Sequence, residues 1–69
     1  MFYIVTEYQG NNTEKTATPF KFEDKETAFE KFYQIAAFIP KSALDTHTVI
    51  ITNSEGGMLT QPISKTTMH

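Results

Sequence analysis

The pattern of apolar and polar residues divides this chain into strand-like ends around a helix-like middle. From Phe2 to Gln9 the run FYIVTEYQ is dominated by aromatic and β-branched residues, which predicts a strand. Alternation puts Phe2, Ile4, Thr6 and Tyr8 on one face and Tyr3, Val5, Glu7 and Gln9 on the other. Both faces begin apolar, so this strand is expected to be central and covered on both sides near its start. The turn signal GNN at Gly10 to Asn12 follows. Thr13 to Phe22, TEKTATPFKF, then fits a strand returning antiparallel. Pro19 cannot donate to a ladder, so this strand should lie at an edge or break there, and Phe20 and Phe22 point together into the core.

The period then changes. Asp24 is a good N-cap and Glu26 suits the positive end of a helix dipole, so a helix is predicted from about Lys25 to Phe38. Ala28, Phe32, Ile35, Ala36 and Ile39 form its core stripe, and Pro40 marks the stop. Phe29 and Tyr33 flank the stripe on one side and Phe38 on the other, so the apolar arc spans roughly 220° on a wheel of 3.6 residues per turn. A small sheet covers about 100° or a little more. Either the flanking rings sit at the margins of a twisted sheet or a second copy covers them, with Lys31 near them, and the second is the expectation taken forward. On that expectation, Phe29→Ala removes a buried interface ring at a cost on the order of 3 kcal/mol.

After a connector at Lys41 to Thr46, alternation resumes. His47 to Asn53 reads as a strand, with Val49 and Ile51 on one face and Thr48, Ile50 and Thr52 on the other. Met58 to Ser64 reads as a shorter strand, where Pro62 again suggests an edge. The expected fold is α+β: ββαββ, a four-stranded, mainly antiparallel sheet with one helix packed on one face. A single domain is expected over 1–64, with a frayed polar tail over 65–69.

Composition narrows the support available to so small a fold. A chain of 69 residues buries only about 60% of the surface its unfolded form exposes. It has no cysteine for a disulfide staple, which fits a reducing setting. His47 and His69 are too few for a structural zinc. Self-association is the support that remains, so a homo-oligomer is expected. Net charge is −2 and every cation is lysine, without the basic stripe of a polynucleotide binder. The opening MFYIV is too short for a signal sequence and lacks basic residues before it. No run approaches a membrane span of about 20 residues. A cytoplasmic protein is expected.

Candidate chemistry is sparse. Gly56-Gly57 could cradle a phosphate only with a helix start or a lysine beside it. The following MLTQP starts no helix, and Glu55 repels anions. The pair is therefore read as a hairpin turn. Asp45 and His47, with Ser42 nearby, invite a catalytic reading, but the plainer one is a solvent-facing histidine at a strand start. Glu23, Asp24, Lys25 and Glu26 cap and solvate the helix start, where ionisation is favoured. The aromatics Tyr3, Tyr8, Phe29, Tyr33 and Phe38 suit core or interface packing, or one ring sandwich around a small nucleotide with Lys31 beside it. No catalytic residue, cofactor or metal is expected.

The stretches FYIVTEY, ETAFEKFYQIAA and THTVIITNSEGGML together resemble short, uncharacterised accessory proteins of phages and prophages of gut Firmicutes. The likeness spans most of the chain and rests on structural motifs, so it implies a phage setting and no site residue. The expected function is that of a non-enzymatic, oligomeric binding protein. It would sequester a host defence component, either a host protein or a nucleotide signal, in the host cytoplasm. Phe29, Lys31, Tyr33 and Phe38 would form its contact surface. The alternative is a structural or assembly protein of the virion.

Overall fold

The computed structural model describes residues 1–11, 14–43 and 46–64. Strands β1 (Tyr3–Gly10) and β2 (Lys15–Phe22) form a hairpin, followed by helix α1 (Lys25–Phe38) and a short 3-10 turn (Ile39–Lys41). Strands β3 (Thr46–Asn53) and β4 (Ile63–Ser64) complete a single sheet in the order β2-β1-β3-β4, with every pairing antiparallel. This is the ββαββ arrangement that the periodicity predicts, and β1 is central.

Helix α1 begins where Asp24 stops. The Asp24 carboxylate accepts from both the Thr27 backbone N–H and the Thr27 hydroxyl at 2.9 Å, satisfying a donor that the first turn leaves orphaned. Ala28, Phe32 and Ile35 then recur on one side and are buried, together with Ile39 just beyond the helix. They pack on Val5, Val49 and Ile51, which are fully enclosed. Tyr3, Phe20, Phe22, Phe29, Ala36, Leu59 and Ile63 border this cluster. The helix therefore covers the sheet face carrying Val5, Val49 and Ile51. Alternation turns Phe2, Ile4, Thr6 and Tyr8 of the β1 segment to the opposite face. Among the described residues β1 is central and covered by α1 on one side only, where the alternation predicts cover on both.

The last strand is shorter than its predicted span of Met58 to Ser64. Met58 makes an isolated bridge to Thr52, and the Leu59 N–H donates to the Ile51 carbonyl at 3.0 Å. The chain then leaves the ladder and rejoins it at Ile63 opposite Val49. The register has shifted by two residues between these pairings. Pro62 has no N–H to give a ladder, so pairing resumes only after it. Thr13, at the start of the predicted second strand, and the tail over 65–69 lie outside the described residues.

Candidate functional site

The aromatic residues singled out on the helix divide into separate environments. Phe29 is half-buried. It stacks on Tyr33, with ring centroids 5.9 Å apart, and meets Phe32 edge-on at 6.2 Å. Phe32 anchors this group from inside the core, and Tyr33 also meets it edge-on at 5.3 Å. Tyr33 itself is 57% exposed and Phe38 is 67% exposed. Lys31 is not free beside the Phe29–Tyr33 pair. Its Nζ lies 4.5 Å from the centroid of Phe20 on β2, a cation–π contact at the sheet margin. From Phe32 to Pro40 the sequence FYQIAAFIP contains no charged residue. The last two helical turns thus present Tyr33, Gln34, Ala37 and Phe38 outward without a charge, an unusual surface for an exposed helix.

A second surface was not singled out by residue reading. The sheet face away from α1 carries Phe2, Ile4 and Tyr8 beside Ile50, with Thr6, Thr48 and Thr52 between them. Tyr8 is 40% exposed, and Ile4 and Ile50 are half-buried. Along the β2 margin the face holds Lys15, Ala17, Pro19 and Lys21, which pair with Gly10, Tyr8, Thr6 and Ile4. Lys21 Nζ sits 4.3 Å from the Phe2 ring centroid. The alternation of β1 already contained this face; what it lacked was any indication that no second layer among the described residues would cover it.

His47 corrects the expectation of a solvent-facing residue. It is 5% exposed, and its Nε2 lies 2.6 Å from Glu7 Oε2. The two residues share the helix-covered face, because His47 alternates with Val49 and Glu7 with Val5. His47 Nδ1 is buried without a partner. The pair ties β1 to β3 across forty positions of sequence, a separation that no local spacing reveals. Asp45, the neighbour proposed from sequence, lies outside the described residues. Among the described residues no group of three His, Cys, Asp or Glu side chains gathers to hold a metal.

The remaining candidates are accounted for locally. Asp24 is held below the usual carboxylate range, chiefly by the Thr27 backbone N–H and then by the Thr27 hydroxyl, against a small opposing effect of burial. The Gly-Gly loop uses its donors on itself. Asn53 Oδ1 accepts from the N–H groups of Glu55 and Gly57, both at 2.9 Å, and the Gly56 N–H donates to the Asn53 carbonyl at 3.1 Å. These donors converge on Asn53 rather than on a common anion site, so the loop is a chain reversal. A depression of about 290 Å³ at the β1–β2 turn is lined by Gln9, Gly10, Asn11, Glu14 and Thr16, without an aromatic ring or a cation. Among the described residues no helix is long and apolar enough to cross a membrane.

No family model, curated protein or solved structure matches this chain.

Proposed function

We propose that this protein is a non-enzymatic binding module that works as a homo-oligomer and engages its partner through the aromatic flank of α1. The observation that carries this reading is the exposure of Tyr33 and Phe38 on a helix end without charge. Exposed aromatic rings supply large contact area at low entropic cost, which is why they concentrate at binding surfaces. Phe29 supports Tyr33 from beneath by stacking, so the Tyr33 ring is held ready before a partner arrives. Lys31 sets the cationic border of the same helix on the Phe38 side.

The likeness to short phage-encoded proteins supports an accessory role, in which the module captures a host protein or a small nucleotide signal in the host cytoplasm. A polynucleotide partner fits poorly with a net charge of −2.

Native mass spectrometry of the protein purified from producing cells tests this reading. The expected result is an oligomer carrying a co-purified protein or small molecule, which Tyr33→Ser and Phe38→Ser release without loss of helical circular dichroism. A bare monomer at every micromolar concentration tried would remove the reading.

A further inference from the structure

We propose that two copies of this chain pair through their bare sheet faces, burying Ile4, Tyr8 and Ile50 of each against the other. This deepens the self-association proposed above and rests on it. It assigns the contact between copies to the sheet and leaves the helix flank to the partner.

The edge of the sheet is a poor route to association. Pro19 has no N–H, so it fits the edge strand β2 only with its nitrogen turned away from β1. It therefore interrupts the outward row of β2, and Lys15 and Lys21 stand on either side of it. A proline between lysines is the usual protection against lateral strand addition. The face carries no such protection at its centre.

The size of the face suits a second copy. Three strands of eight residues, spaced about 4.8 Å apart and rising about 3.3 Å per residue, present roughly 400 Å² in projection. Side-chain relief adds to this. Two such faces together approach the ~1,000 Å² of total buried area at which specific contacts begin. Identical sheets also share one twist, so they pack face to face with strands nearly aligned.

The charges select an orientation. Within the paired strands no carboxylate lies on the face, and its cations, Lys15 and Lys21, belong to β2. A two-fold axis running along the strands lays the β2 margin of one copy over the β4 margin of the other. There Thr48 and Ser64 share a hydroxyl hydrogen bond of 3.1 Å, and the lysine rows of the two copies do not face each other.

Single-stranded nucleic acid is the competing occupant of such a face, since aromatic side chains on a sheet stack bases. The Phe2 ring, however, already carries the Lys21 ammonium, which occupies both the stacking surface and the nearest phosphate-seeking cation.

Analytical ultracentrifugation of the full chain across micromolar to millimolar concentrations tests the assignment. A monomer–dimer equilibrium is expected, with a dissociation constant in about the micromolar range or weaker. Ile50→Lys and, separately, Thr6→Lys should raise it about tenfold or more, with circular dichroism unchanged. Thr6→Lys places its charge at a threonine, so it reports on pairing even where Ile50→Lys fails to fold. Tyr33→Asp and Phe38→Asp should leave the dimer intact. A dimer broken by Tyr33→Asp or Phe38→Asp and not by Thr6→Lys overturns the sheet assignment while leaving the oligomer reading standing. A wild-type monomer throughout overturns both. Binding of a labelled oligo(dT) that Thr6→Lys or Ile50→Lys alters would give the face to nucleic acid instead.

Discussion

His47 is buried on the face of the sheet that carries the core, with one ring nitrogen on Glu7 and the other on nothing. The partners are unequally buried, since the Glu7 side chain keeps 17% exposure against 5% for His47. Removing Glu7 strands a ring that water does not reach, whereas removing His47 leaves a carboxylate that still touches solvent. Glu7→Leu should therefore cost about 2 kcal/mol. His47→Leu should cost less, because it also deletes the unpartnered Nδ1, and the double variant should recover part of the Glu7→Leu loss. Urea midpoints of the three variants measure this, and a larger loss for His47→Leu than for Glu7→Leu would contradict it. At the β3–β4 turn, Gly56 has φ 87°, while a Cβ built there meets nothing within 4 Å. Gly56→Ala should thus lose about 1 kcal/mol through backbone strain alone, read as a lower melting temperature with an unchanged circular dichroism spectrum.

Helix α1 occupies the predicted span, and its cap makes a pH prediction. The Asp24 carboxyl titrates below its ordinary 3.8 in the folded state. A depressed acid contributes stability that is fully present above its unfolded value and is lost as pH falls through the folded one. The difference in melting temperature between wild type and Asp24→Ala should therefore be constant from pH 7 to about 5 and close below about 4. A gap that persists at the most acidic pH would mean that the uncharged carboxyl caps as well as the charged one. The helix was legible because its cap, apolar stripe and proline stop all lie within one local window. The short β4 was not: Met58 and Ile63 alternate as a strand should, but the register shift between them is decided by pairing with β3. The separation of Phe38 from the Phe29–Tyr33 stack was legible on a helical wheel. The engagement of Lys31 with Phe20 was not, because it depends on how β2 lies beside the helix. For β1, alternation correctly marked apolar residues on both faces, but periodicity names no covering layer.

The described residues therefore form two layers where the central strand is apolar on both sides. Among the described residues the enclosed apolar side chains are Val5, Ala28, Phe32, Ile35, Ile39, Val49 and Ile51, all on the helix side of the sheet. Domains this small rarely gain more than about 3–5 kcal/mol from such a core, and the chain has no cysteine to add a disulfide. Burying the second face against another copy changes the balance in a way that concentration controls, since association stabilises only the folded state. Below the dissociation constant the melting temperature should be flat. Above it, each tenfold rise in concentration adds about 0.7 kcal/mol per chain, half the 1.4 kcal/mol of a tenfold mass-action step. For a domain of this size that corresponds to a rise of roughly 3–5 °C per decade. Thr6→Lys should stay on the flat line up to concentrations about tenfold higher or more before any rise begins, because its monomer core is untouched and only pairing is weakened. Calorimetric scans over two to three decades of concentration give both curves. A wild-type melting temperature as insensitive to concentration as that of Thr6→Lys would show that the helix-side core suffices alone.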